Sequence, residues 1–163
     1  LRALDSDRYA NLLEQLVVAA ARPRLNAEAD RHRRAARVAR PLADKPRKRF
    51  RKHVRDLDRR PLDADLHEAR QRAKQARYAY ELVAPILGKQ ATKVAKRFEH
   101  VQEVLGGHQD AVVAGAWLAD AARDAESAES FAAGELAGLF LVDKDTALSK
   151  WPAARKHAHA KVP

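Results

Sequence analysis

The sequence predicts an all-α protein, and three features of its composition lead to that prediction. Of its 163 residues, 35 are alanine, the strongest helix former. Val, Ile and Thr together number only 15, so residues that favour strands are scarce. Six Gly and seven Pro are too few for a turn-rich β-sandwich. We expect a single helical domain over residues 1–163.

Prolines are expected to end the first three helices, because a proline lacks an amide hydrogen and clashes with the preceding helical turn. A proline inside the first turn is tolerated, and Pro46 fits that position in the third helix. The first helix is predicted at about Asp5–Ala21, before Pro23. The second runs from Asn26 or Asp30 to Arg40, before Pro41, and the third from after Asp44 to about Arg59, before Pro61.

Glycines are expected to separate the later helices, with Gly88 breaking the chain once and the Gly106-Gly107 pair forming a turn. These helices are predicted at about Asp63–Leu87, Lys89–Leu105, Gln109–Ala125, Ala128–Phe140 and Thr146–Lys156. Their short connections favour antiparallel neighbours, so we expect an antiparallel helix bundle.

The absence of Cys and the absence of a long apolar run narrow the possible classes of protein. The chain has no Cys, which excludes disulfides, thiol catalysis and sulfur-ligated zinc, and which fits a reducing cytoplasm. No apolar run approaches the roughly 20 residues of a membrane span, so we expect no membrane partner. The chain also lacks Met and begins with Leu1, from which we expect it to be a piece of a longer protein.

The net charge of +10 is unevenly distributed along the chain. Residues 22–60 hold 16 Lys and Arg against 5 acidic residues, and residues 66–97 hold 8 against 2. Residues 98–135 carry 8 acidic residues and a single base, Arg123. A molecule with one cationic and one acidic side indicates an oriented anionic partner, although solvated helix faces are the alternative.

The fourth predicted helix has a cationic face. At about 100° per residue, its basic residues share one side while Ala69, Ala73 and Ala76 share the other. We call the first side the cationic stripe, which consists of His67, Arg70, Lys74 and Arg77 and ends at Glu81. Neighbouring predicted helices contribute further cations at helical spacing. The fifth helix has Lys89, Lys93, Lys96 and His100, with Arg97 beside them; the third has Lys48, Arg51, Lys52 and Arg55; the second has Arg33, Arg37 and Arg40.

Rows of Lys and Arg suit phosphate, because successive members recur about every 5 Å along a helix and guanidinium groups match phosphate oxygens. On charge alone, such a surface would bind polyphosphate or a nucleic-acid backbone equally well. Aromatic residues make up only 6% of the chain, and Tyr78 alone borders the cationic stripe, so no base-stacking platform is apparent. A partner made of phosphate alone, such as polyphosphate, is therefore favoured, and nucleic acid is the alternative partner.

Catalysis is not expected. An enzyme acting on phosphoanhydrides needs carboxylates that hold Mg²⁺ beside the basic residues. Glu68 and Glu81 are the only acidic residues in the 67–81 segment, and they form no pair. We therefore expect a binding protein with no catalytic residue, no cofactor and no metal site, or else a structural scaffold.

Three segments resemble the CHAD family, the conserved histidine α-helical domain. The run HEARQRAKQARYAYE at residues 67–81 is similar to the family's basic helix. FEHVQEVLGGHQD at 98–110 resembles its Gln–Leu–Gly–Asp segment through Gln102, Leu105, Gly106 and Asp110. DSDRYANLLEQL at 5–16 is like the helix that begins the second half of such domains.

The resemblance implies two similar four-helix halves that face each other across a basic groove and bind inorganic polyphosphate there, in some members at storage granules. It implies that this chain is the C-terminal half, with a CHAD-like bundle over about 5–125 and extra helices over 126–163. The missing N-terminal half, or a second copy, would be a further partner. By position, the resemblance assigns polyphosphate binding to His67, Arg70, Lys74, Arg77, Lys93 and Lys96.

Charge and helical spacing extend this predicted binding set by Arg97, Arg37, Lys48, Lys52 and Arg55. We expect binding to tighten modestly in acid if His67 takes part, whereas a structural His67 would leave affinity unchanged. The H-x-H pair at His157 and His159 is predicted to lie in a frayed tail. Larger apolar residues near the C-terminal end are predicted to be core rather than a partner surface: Trp117, Leu118, Phe131, Leu136, Phe140 and Leu141.

Overall fold

The computed structural model describes residues 4, 6–22, 35–58, 60–123 and 125–160, and these residues form five α-helices without a strand. The helices are α1 (Asp7–Ala21), α2 (Ala35–Arg55), α3 (Asp63–Leu87), α4 (Lys89–Ala121) and α5 (Ser127–His159). The all-α prediction is confirmed. The chain divides into two compact units, Leu1–Arg33 and Arg34–Pro163.

The first unit contains α1. Its N-cap is Ser6, whose side-chain oxygen accepts a hydrogen bond from the Tyr9 backbone amide at 3.3 Å. Asp7 in the first turn suits the positive end of the helix dipole. None of the residues of α1 is buried, and Leu16 and Val17 are among its exposed apolar side chains. The predicted helix is therefore present.

In the second unit, α2 replaces two predicted helices. It runs without a break through Pro41 and Pro46, which were expected to mark a helix end and a helix start. Its buried residues recur on one face: Ala39, Ala43, Phe50 and Val54. Burial of this continuous row favours one unbroken helix even though each internal proline removes a hydrogen bond. The predicted start at residue 26 or 30 lies outside the described residues, as does Arg33.

The helix α3 has the predicted bounds. Asp63 and Asp65 lie in its first turn, where carboxylates are favoured by the helix dipole. Pro85 lies in its last turn, and Gly88 then turns the chain into α4 with a φ of 70°. That left-handed conformation favours glycine, which explains why a break occurs here.

The Gly106-Gly107 pair does not form the predicted turn, because α4 continues through it. Buried side chains lie on both sides of the pair, with Leu105 before it and His108 and Ala111 after it. Continuous burial outweighs the cost of about 1 kcal/mol that each glycine adds to a helix. Likewise, α5 is one helix of 33 residues where two were predicted, and Pro152 lies inside it.

Within the second unit, α3 packs against both α2 and α4, and α5 packs along α4. At the centre, the rings of Phe50 and Phe98 meet edge to face with centroids 5.1 Å apart. Fully buried alanines of α3 let its neighbours approach closely, and α5 adds Trp151 to the same core.

The predicted core near the C-terminal end is mostly wrong. Leu118 is buried, but Trp117 and Phe131 are each 68% exposed, and Leu136 and Leu141 are exposed as well. No helix in the described part of the chain is long and apolar enough to cross a membrane.

Candidate functional site

The cationic stripe lies on the face of α3 opposite its buried alanines, as the helical period predicts. His67 and Lys74 are exposed, whereas Arg70 and Arg77 are half-buried against the neighbouring helix. The four side chains differ in their partners, and these partners decide which of them could bind an anion.

His67 is held between two glutamines. Its Nδ1 donates a hydrogen bond to Oε1 of Gln109 on α4, at 2.9 Å. Its Nε2 accepts a longer hydrogen bond from Gln71 Nε2, at 3.5 Å. Both ring nitrogens therefore have protein partners, which orients the ring and links α3 to α4.

Arg70 is half-buried against α4. Its Nε has no hydrogen-bond partner in the described part of the chain, and an added Cβ at Gly106 would lie 3.7 Å from that atom. Gln102 Oε1, one turn before Gly106, is also buried without a described partner. Gly106 therefore serves as a place of close approach for Arg70 rather than as a turn.

Arg77 is compensated by two carboxylates. Its Nε donates to Glu81 Oε1 at 2.7 Å, and its Nη2 lies 2.8 Å from Glu99 Oε1 on α4. The hydrogen bond to Glu81 raises the pKa of Arg77. Glu81, one turn after Arg77 at the end of the stripe, therefore orients its guanidinium group.

Lys74 has no carboxylate partner among the described residues. Its Nζ lies 5.8 Å from the centroid of the Tyr78 ring, where the negative face of the ring attracts the ammonium group. The side chain remains exposed, so its charge is available to an anion.

The other predicted binding residues lie on α4 and α2. Lys93 and Lys96 are exposed on α4. Arg97 instead donates through Nη1 to the Ala160 carbonyl at 2.9 Å, at the C-terminal end of α5. The α2 residues Arg37, Lys48, Lys52 and Arg55 are exposed, and Arg55 forms an ion pair with Asp56 at 3.0 Å.

Sequence reasoning missed a cluster at the end of α5. His159 is part of the helix rather than a frayed tail, and its ring lies edge to face with Phe50 at 6.2 Å. Burial lowers the pKa of His159, and the nearby guanidinium groups of Arg51, Arg155 and Arg47 lower it further. Neither local spacing nor composition links these residues, because they come from α2 and α5.

These observations define an all-α bundle protein with rows of Lys and Arg on its helix faces. Among the described residues, no group of three or more His, Asp or Glu could hold a metal ion.

The chain belongs to the CHAD domain family, whose model matches residues 1–119. The suspected resemblance is thereby confirmed, and the CHAD domain is associated with polyphosphate binding. All of α5 follows the matched region. No curated protein and no solved structure matches the chain.

Proposed function

We propose that this chain binds inorganic polyphosphate on the cationic stripe of α3 and does not transform it chemically. One observation carries the proposal. Of the four Arg and Lys residues of α3, Arg72 and Arg77 form ion pairs with Glu68, Glu81 and Glu99, whereas Arg70 and Lys74 have no described carboxylate partner. Uncompensated cations at adjacent turns favour an external anion.

The spacing of these two residues supports a linear partner. Arg70 and Lys74 are four residues apart, so they lie on one face about 6 Å apart along the helix. A chain of linked phosphates presents charge at comparable intervals. Arg70 offers a planar fork to phosphate oxygens, and Lys74 adds a mobile point charge.

Binding without catalysis is supported by the arrangement of nearby carboxylates. Glu81 and Glu99 both contact Arg77 and do not converge on a separate space for Mg²⁺. Incubation of the chain with polyphosphate and Mg²⁺ should release no orthophosphate above a protein-free control. Release that persists after repurification and disappears in a variant of the stripe would contradict this part of the proposal.

The central test is a competition experiment. Labelled long-chain polyphosphate is bound to the chain and challenged with single-stranded and duplex DNA at equal phosphate concentration and at two salt concentrations. Polyphosphate should resist displacement, and Arg70→Ala or Lys74→Ala should weaken its binding about tenfold, as expected for the loss of one charge-assisted contact.

The matched control is Lys150→Ala, which removes one exposed charge from α5 rather than from α3. This variant should bind within about twofold of the parent chain. If DNA competes equally and all three variants behave alike, the chain has a diffuse cationic surface and the nucleic-acid alternative replaces the proposal.

A further inference from the structure

Four arginines converge at the C-terminal end of α5. Arg47 and Arg97, from α2 and α4, both donate to the Ala160 carbonyl, at 3.4 and 2.9 Å. Arg51 of α2 and Arg155 of α5 lie close enough to the His159 ring to influence its charge. Helices that are distant in sequence therefore bring Arg47 and Arg97 to one helix end, with Arg51 and Arg155 near the histidine in its last turn.

Ion pairs do not balance these charges within the described part of the chain. None of the four arginines forms an ion pair there, unlike Arg72, Arg77 and Arg123. Asp44 is the only carboxylate of α2, and it accepts a hydrogen bond from the Tyr80 hydroxyl at 2.5 Å. The Ala160 carbonyl supplies only the partial negative charge of a helix end, about half an elementary charge.

Two buried polar atoms in the cluster also lack partners. Arg47 Nε and His159 Nε2 have no hydrogen-bond partner among the described residues. Arg47 Nε is a buried donor without an acceptor, and both this and unscreened like charges raise the free energy of the folded state. An anion seated at the outer edge of the cluster would offset the like charges.

We propose that Arg47, Arg51, Arg97 and Arg155 form a second binding site, which takes a single phosphate group at the junction of α2, α4 and α5. Guanidinium forks match the oxygens of a compact phosphate dianion better than ammonium groups do. The group is either free orthophosphate or the terminal phosphate of a polyphosphate chain. The site does not depend on the stripe of α3, because its four arginines lie on α2, α4 and α5.

Arg51 and Arg155 are the residues to change, because Arg47 and Arg97 also satisfy the carbonyl at the end of α5. Calorimetric titration of the full chain with sodium orthophosphate, at constant ionic strength, should give saturable binding of one phosphate per chain. The double variant Arg51→Gln/Arg155→Gln should weaken it tenfold or more.

A control with equal charge loss is Lys45→Gln/Arg49→Gln, which changes two other exposed cations of α2. It should bind orthophosphate within twofold of the parent chain. Absence of saturable binding, or equal weakening in both double variants, overturns the proposal. If the site variant loses its helical circular dichroism, Arg51→Lys replaces it, and this variant should still weaken binding because the charge stays and the fork is lost.

Two further ligands identify the source of the phosphate group. Linear tripolyphosphate has terminal phosphates and cyclic trimetaphosphate has none. Displacement of orthophosphate by the linear compound alone assigns the site to a chain end, and displacement by neither assigns it to free orthophosphate. Equal displacement by both shows recognition of charge only and overturns the proposal. Lys74→Ala should leave these titrations unchanged, so failure of the stripe and failure of this site are distinguishable.

Discussion

Arg77 Nη2 lies 2.8 Å from Glu99 Oε1, so an ion pair joins α3 to α4 on the face that carries the cationic stripe. Together with Glu81, this carboxylate holds Arg77 away from an external anion. The available charge on α3 is thereby concentrated at Arg70 and Lys74, nearer the N-terminal end of the helix.

Removal of the Glu99 carboxylate should strengthen polyphosphate binding. In Glu99→Gln, Arg77 keeps only Glu81 as a partner and its charge becomes more available, so we expect affinity to rise about two- to fivefold. Both partners are partly exposed, and the free energy of unfolding should fall by at most about 1 kcal/mol. Titration with labelled polyphosphate and urea unfolding measure the two effects. Glu103→Gln, one turn further along α4, serves as the charge-matched control. Unchanged affinity in Glu99→Gln would show that Arg77 does not contribute to the surface.

The size of the side chain at position 106 should control polyphosphate binding through Arg70. A Cβ at Gly106 would lie 3.7 Å from Arg70 Nε, which is ordinary van der Waals contact, so Gly106→Ala should fold and gain up to about 1 kcal/mol from helix propensity. Gly106→Leu should displace the guanidinium and weaken polyphosphate binding to the level of Arg70→Ala.

Gly107 provides the control for this prediction, because an added Cβ there meets nothing within 4 Å. Gly107→Leu should bind polyphosphate like the parent chain. Equal affinities of Gly106→Leu and Gly107→Leu, in folded variants, would contradict a positioning role for Gly106.

Two phenylalanines should differ sharply in their effect on stability. Phe98 is fully buried against Phe50, and its replacement by Ala should lower the free energy of unfolding by about 3–5 kcal/mol. Phe131 is 68% exposed on α5, so Phe131→Ala should change it by no more than about 0.5 kcal/mol. Chemical unfolding of both variants tests this. A similar loss in both would place Phe131 in a packed interface.

Stability should decrease as the pH falls from about 7.5 to 5. Burial lowers the pKa of His108, and the charge of Lys144 adds to this effect, while Asp63, 3.2 Å away, acts in the opposite direction. The unfolded chain, where histidine has its ordinary pKa of about 6.5, then binds more protons than the folded chain, so acid favours unfolding. The lowered pKa of His159 acts in the same direction.

The measurement is the free energy of unfolding at several pH values in this window. His108→Gln should reduce its slope against pH, whatever its effect on stability at pH 7.5. His100→Gln changes an exposed histidine on the same helix and is the control against which the reduction is judged. A slope that persists undiminished in His108→Gln would contradict the prediction.

Parts of the site could be predicted from sequence because they depend on one helix alone. Arg70, Lys74 and Arg77 share a face of α3 by helical period, and Glu81 pairs with Arg77 one turn away. The pairing of Arg77 with Glu99 was not predictable, because it needs the register of α4 against α3. The same holds for Arg51, which lies near His159 only because α5 packs back onto the bundle.

The sequence by itself determined that the chain is helical, where α3 begins and ends, and which face of α3 is cationic, because alanine content, helical periodicity and the break at Gly88 are local properties. Tertiary structure decided that α2 continues through Pro41 and Pro46 and that α4 continues through Gly106. It also decided which arginines are compensated. Those outcomes depend on burial and on charges brought together from distant segments. The free energy gained by burial along α2 and α4 exceeds the local tendency of proline and glycine to interrupt a helix.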